Sequence, residues 1–385
     1  MEEQEDSGMD TTYVGIMLAV FLVLAALAID IGYLYVSDED LLTAAEKSSL
    51  AGADAIKKRM LSGMRSNDRV PAGVLNDPVQ AAARAAAVEA ASGKHASTAL
   101  IHIANNDTNR LSDGNDVTVG FWNATSHTYT PGATPVNAMQ VRTRRTAESE
   151  TVGLGSVGTI LARLSGVENF NYTPEAISAF PPRATANFAI CASSRSAACR
   201  YPSVCSGETR VPRSADPQPG DLRYAYTTLL HQTGETMGLS ELICLDLPPQ
   251  EVCGKQILVT TGDASDYVLR DLESMMYNPN VDPSNKELEG DGAPAGWWVI
   301  APVVECGGEA TRGFERRRVS GYALVRISRI CVDGPPGCRQ NGTSFKAPQA
   351  ACRGERGLYI DRISFVDCGS RDMLQFPGLR PVLVK

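Results

Sequence analysis

The stretch from Tyr13 to Val36, YVGIMLAVFLVLAALAIDIGYLYV, constrains this chain more than any other feature. Apart from its tyrosines, Asp30 is its only ionisable group. A helix rises about 1.5 Å per residue, so the stretch reaches roughly 36 Å, enough for a hydrocarbon core about 30 Å thick. Tyr13 at one end and Tyr33 and Tyr35 at the other suit the two interfaces, where amphipathic rings settle. A buried core helix is seldom apolar all round for so long, so the segment reads as a single membrane span. Small residues recur four apart, Gly15 with Ala19 and Ala28 with Gly32, and let a second helix approach closely. A carboxylate at mid-bilayer costs on the order of 3 kcal/mol, less near an end, so Asp30 either snorkels to the interface or meets a partner. Gly15, Ala19, Ala28, Asp30 and Gly32 are therefore the candidate helix–helix contacts.

The run ALAIDIGYLYV, followed by SDEDLLTAAEKSSLAGADA, resembles the start of the TadE/TadG-like proteins of Flp (tight adherence) pilus assembly. Their anchor typically ends in A-[IV]-D-[VL]-G-Y ahead of an Ala-rich helix. The matching residues are Ala28, Ile29, Asp30, Ile31, Gly32 and Tyr33, then Leu42, Ala44, Ala45, Ala51, Gly52 and Ala53. The likeness is specific there and looser to about residue 180. It implies a membrane-anchored, non-enzymatic structural or assembly component, a minor pilin-like subunit without a cofactor. Its partners would be pilin or other Tad pilus subunits met through the N-terminal helix. One departure concerns charge: the family usually has basic residues ahead of the anchor, whereas residues 1–12, MEEQEDSGMDTT, are acidic and lack Lys and Arg.

The rest of the chain divides by its cysteines. All ten, Cys191, Cys199, Cys205, Cys244, Cys253, Cys306, Cys331, Cys338, Cys352 and Cys368, lie in the second half. No C-x-x-C occurs and only His231 lies among them, which excludes the usual zinc and redox spacings. An even count beyond an anchor favours disulfides and an oxidising compartment. The expected place is the inner membrane, single-pass, with the bulk of the chain in the periplasm or at the cell surface. Lys47, Lys57, Lys58 and Arg59 just after the anchor oppose that orientation under the positive-inside rule. Long domains translocate largely regardless of charge, and the cysteines decide. A cleaved signal peptide ending at Ala26-Leu27-Ala28 lacks a basic n-region, and prepilin processing after Gly8 would put Tyr13 where Glu usually stands. A net charge of −8 with no extended Lys/Arg block argues against nucleic acid.

Four regions follow: a polar tail 1–12, the anchor 13–36, an α+β domain 37–180, and a cysteine-rich, mainly-β domain 181–385. The fold class is α+β. Ser37 or Asp38 opens an amphipathic helix, continuous with the anchor or newly capped, that Gly63 and Pro71 break. Asp77-Pro78 opens a second helix that Gly93 closes. Strands are expected at Ala99–Ile103, Asp116–Phe121, Ala138–Thr146 and Tyr172–Phe180, with a short helix at Thr159–Leu164. Beyond Pro181-Pro182, residues to Asp221 show no period, and Tyr224–His231 and Ser240–Leu245 fit helix or strand. Gln256–Thr260, GWWVIAPVVEC, Val319–Val332, Leu358–Phe365 and Leu379–Val384 read as strands of a barrel or sandwich, and Asp266–Tyr277 as a helix.

Candidate chemistry is weak. Gly153-Leu154-Gly155-Ser156-Val157-Gly158 fits G-x-G-x-x-G but lacks a βαβ unit, and Ser156 lacks the G-x-S-x-G context. There is no H-E-x-x-H, and no small-molecule substrate is evident. Asp263-Ala264-Ser265-Asp266 only partly fits a von Willebrand-type metal motif and reads as a turn, as does Arg316-Arg317-Arg318. Trp297-Trp298 on a strand puts one indole on each face, one for the core and the other for core, interface or sugar. The alternatives to a pilus component are a pilus-independent surface adhesin or ligand-binding protein, and a periplasmic enzyme.

Overall fold

The apolar segment is the first part of one 61-residue helix, α1 (Asp6–Ser66). The computed structural model describes residues 6–66, 77–96, 99–112, 114–147, 155–159, 161–211, 222–231, 236–260, 265–290, 292–306, 314–338, 345–348, 352 and 356–385. Along α1 every side chain from Thr11 to Ile29 is exposed except the half-buried Ala26. From there one stripe is buried: Asp30, Leu34, Ser37, Leu41, Ala44, Ala45, Ser48, Ala53, Ile56 and Met60. The spacing of three and four puts them on one side of a helix. Gly63 does not break α1, because Leu61 and Met64 on either side are buried in a distant core. That burial outweighs the roughly 1 kcal/mol propensity cost of glycine.

Helix α2 (Asp77–Ala91) lays Val79, Ala83, Ala87 and Ala91 into the same core as α1. Gly52 shows why small residues recur on this face. A Cβ there would stand 1.9 Å from Met139 Sδ and 3.1 Å from the Ala83 carbonyl. A short hairpin, β1 (His95–Ala96) with β2 (Ala99–Leu100), follows α2, so the strand expected over Ala99–Ile103 pairs only at its start. Then come β3 (Val117–Asn123), β4 (Thr128–Pro131) and β5 (Ala138–Arg142). A second small hairpin joins β6 (Val157–Gly158) and β7 (Asn169–Phe170) through a 3-10 turn at Ala162–Ser165, and β8 spans Glu175–Ala179. Val119, Met139 and Val141 face the helices, while Trp122, Ala138, Ile177 and Ala179 line the other face of the sheet.

The second half contributes β9 (Phe188–Cys191), β10 (Cys205–Val211), β11 (Tyr224–Leu229), α3 (Thr236–Cys244), β12 (Gln256–Thr260) and α4 (Ser265–Tyr277). It continues with β13 (Lys286–Leu288), β14 (Pro294–Val304), β15 (Glu315–Cys331), β16 (Gly357–Asp367) and β17 (Val382–Leu383). Eight strands pair in the order β10-β16-β15-β12-β11-β9-β14-β13, and β14 also pairs with β15. The path β15-β12-β11-β9-β14 thus returns to β15, closing a barrel-like ring. All its pairings are antiparallel except β14 with β9. Helices α3 and α4 cover one face through Leu239, Val268, Leu272 and Met276. Trp297 lies in that core and Trp298 in the one on the opposite face, beside Leu61 and Met64 of α1. Arg316, Arg317 and Arg318 are not a turn but the start of β15, paired with Leu258, Ile257 and Gln256.

Strand β17 does not join this sheet. It pairs with β8, giving a five-stranded antiparallel sheet β17-β8-β5-β3-β4 around the first core. The return is made at Gly378, whose N–H donates to the Phe180 carbonyl at 2.9 Å. A Cβ at Gly378 would stand 2.2 Å from the Pro181 carbonyl oxygen, so glycine lets the returning segment cross the outgoing one.

All ten cysteines are bridged: Cys191–Cys306, Cys199–Cys205, Cys244–Cys338, Cys253–Cys368 and Cys331–Cys352. The first ties the ends of the parallel neighbours β9 and β14, and Cys253–Cys368 ties the approach to β12 to the end of β16.

Candidate functional site: the long helix and its polar contacts

The five residues singled out on the apolar segment fall into two environments. Gly15, Ala19 and Ala28 lie on the bare part of α1, where the side chains are exposed. Gly32 is exposed too, and a Cβ added at Gly15 or Gly32 would meet nothing within 4 Å. These positions are therefore sterically open within the chain. Asp30 is not: it is 2% exposed, under the hairpin β6–β7. The Leu161 N–H donates to its two carboxylate oxygens at 3.1 and 3.0 Å, and the Ala162 N–H donates to Oδ2. Those N–H groups begin the 3-10 turn at Ala162–Ser165, where backbone donors have no partner inside the turn. A buried carboxylate and unpartnered N–H groups each carry a desolvation cost, and here each satisfies the other. Thr159 fixes the hairpin by donating its Oγ1 to the Val167 carbonyl at 2.6 Å.

Higher on α1 the polar contacts continue. Thr143 Oγ1 donates to the Leu41 carbonyl at 2.9 Å, and the Ser49 and Ser178 hydroxyls share a bond of 2.6 Å. Near the end of α1, Lys57 is fully buried, 2.6 Å from Asp54 and donating to Ser284 Oγ at 2.9 Å. Burial pushes the Lys57 ammonium down, with the Asp54 charge opposing it. Beyond Ser284 lies Asp282, buried, which accepts from Trp297 Nε1 at 3.0 Å, Asn285 Nδ2 at 2.6 Å and Arg380 Nε at 3.2 Å. Burial raises the Asp282 carboxyl despite the Arg380 charge. Neighbouring Lys286 donates to the Met275 and Asn278 carbonyls at 2.6 Å each, and burial pushes it down to about 8. This cluster joins α1 to the turn at 283–285 and to the C-terminal segment. Lys57 was legible only as one of several basic residues after the apolar segment, since its acceptor stands 227 positions away.

The candidates for chemistry resolve differently. Val157–Gly158 form a strand, so the glycine motif does not open a helix there, and Gly153 and Leu154 lie outside the described residues. Asp263 and Ala264 also lie outside them, and Ser265 starts α4. Both tryptophans of the pair are buried, with Trp298 Nε1 donating to Glu287 Oε1 at 2.9 Å, so neither is a surface platform. Asp271, Cys244 and Cys338 place ligand-type atoms within 4.8 Å of one another. The two sulfurs are joined in a disulfide, and Ser240 Oγ donates to Asp271 at 2.5 Å. Burial pushes the Asp271 carboxyl up to about 6. This is a packed bridge and its acid neighbour.

Residues 8–55 match the family described as Flp pilus-assembly TadE/G-like, and residues 72–178 match the Tad-like Flp pilus-assembly family. Over residues 8–178 the chain is TadE/TadG-like, of the Flp pilus-assembly kind. Its role is accordingly one related to pilus assembly. The first match covers the bare helix, Asp30 and Gly52, and the second runs from before α2 almost to the end of β8. No curated protein and no solved structure matches the chain.

Proposed function

We propose that this protein is a membrane-anchored, non-enzymatic structural component of a bacterial Flp/Tad pilus apparatus, a minor pilin-like subunit that acts by association. The observation that carries this is α1 itself. Its apolar start is exposed from Thr11 to Ile29, while the same helix continues as the spine of the α+β core. An exposed apolar helix needs either lipid or a partner helix, and a subunit that moves from membrane to filament uses both in turn. The five disulfides support an oxidising location, hence an inner-membrane anchor with the bulk of the chain in the periplasm or at the cell surface. The partners are pilin or other pilus subunits, met through the small-residue positions of the bare helix.

The test is piliation in cells carrying Gly15→Leu or Gly32→Leu. A Cβ at either position has nothing within 4 Å and both positions are exposed, so the subunit itself should fold and reach the membrane normally. Piliation should fall sharply, because a bulky side chain pushes a partner backbone away. Normal piliation in both variants, with none after gene deletion, would move the contact surface off the bare helix.

A further inference from the structure

We infer that the hairpin β6–β7 is a second membrane contact, its tip seated in the headgroup layer with Val167 and Phe170 as the apolar contacts. This rests on reading α1 as the membrane anchor. From Thr11 to Ile29 the bare stretch is about 28 Å long, close to a hydrocarbon thickness of about 30 Å. Asp30 therefore stands at the edge of the hydrocarbon, and the hairpin tip is tied to that level by the Leu161 and Ala162 N–H groups. The base of the hairpin is set higher, where Arg145 pairs with Tyr172. Tyr172 lies close enough to Asp38 for the charge of that carboxylate to raise its phenol, after burial. Eight residues of helix separate Asp30 from Asp38, a climb of about 12 Å. The hairpin thus runs down α1 toward the bilayer and ends at its surface.

Its exposed side chains fit that place. Val167 is 43% and Phe170 40% exposed, beside an anchor whose Tyr35 is 68% exposed. Apolar and amphipathic side chains at this depth exchange water for the interface. Arg163 and Glu168, both exposed, give the tip one charge of each sign, so it needs no anionic lipid. The strands β6 and β7 are two residues each, too short to hold a hairpin in water without support from the helix and the surface beneath it.

The experiment reconstitutes the full chain in phosphatidylcholine vesicles, with or without lipid brominated on the acyl chain near the headgroup. Single tryptophans are introduced by Val167→Trp, Phe170→Trp, Phe21→Trp in the anchor, and Tyr267→Trp on the exposed surface of α4. The native Trp122, Trp297 and Trp298 are buried and supply a constant background. The added emission at positions 21, 167 and 170 should be mostly lost to the brominated lipid, and that at 267 should not. Quenching at 21 without quenching at 167 or 170 overturns the inference and leaves the anchor standing. If aqueous iodide also fails to quench 167 and 170, a neighbouring protein covers the hairpin instead. Loss of quenching at 21 itself overturns the anchor reading and the inference with it. Phe170→Trp replaces one exposed ring by another and preserves the fold if Val167→Trp does not.

Discussion

The five-stranded sheet contains no cysteine and is held against α1 and α2 by alanines, valines and one tight glycine. The eight-stranded sheet is crossed or flanked by five disulfides and meets α1 near its C-terminal end. The first core uses a helix that leaves the protein, so whatever binds the bare stretch is mechanically continuous with Leu41, Ala53 and Ile56. The second ties remote strands to one another covalently. Between the two regions sit the buried charges around Lys57 and Asp282, and the crossing at Gly378.

The largest expected effect separates the two regions by chemistry. Replacing Cys253 and Cys368 together by serine opens a bridge whose ends are 115 residues apart. Loss of a native disulfide typically costs about 2–5 kcal/mol, more for long loops. The loss should fall on the eight-stranded region, read as earlier hydrogen exchange in β12 and β16, with protection of α1 and β5 unchanged. Equal loss in both regions would mean that they unfold as one unit and that the contrast is only compositional.

The joint is the next target. Lys57→Met removes the buried ammonium while keeping most of its volume. Cutting one side of a buried ion pair typically costs about 3–5 kcal/mol. Here about 2–3 kcal/mol is expected by the same reasoning, because Lys58 still stands 2.9 Å from Asp54 and Arg380 still faces Asp282. Chemical denaturation of the full chain should show a lower midpoint and a broader transition, as the two regions uncouple. An unchanged midpoint would mean that Leu61 and Met64 hold the joint by burial alone.

How much of this was visible in the sequence depended on where each partner lay. The apolar helix was legible because length and apolarity are local. Its continuation through Gly63 was not, since it depends on burial in the core of the second sheet. Asp30 stood out as polar in an apolar run, but its donors lie 131 and 132 residues away in a stretch read as a short helix. FAIC, strand β9, is buried on both faces and shows no alternation, while CSGETRV, strand β10, is an exposed polar edge defined only by pairing with β16. Arg316–Arg318 looked like a solvated turn for the same reason: charge marked exposure, and β12 supplied the strand pairing. The ten cysteines announced bridges, but the pairing waited for the topology.

The smallest effect probes the return of the chain. Val384 follows β17, and its N–H donates to the Ile177 carbonyl at 2.9 Å, while the Ile177 N–H donates to the Lys385 carbonyl at 2.9 Å. Val384→Pro removes the first donor, and a net backbone hydrogen bond is worth about 1 kcal/mol. Proline is tolerated on an edge strand only where the N–H faces solvent, and this one faces β8, so the loss should reach at least that value. The residue belongs by sequence to the cystine-laced half, yet the effect should appear as faster hydrogen exchange at Ile177 and its neighbours in β8. The bridges at Cys253–Cys368 and Cys191–Cys306 should retain their protection from reductant. If β8 is unaffected, the returning segment contributes nothing to the first sheet, and the two regions are joined by α1 and the Lys57 cluster alone.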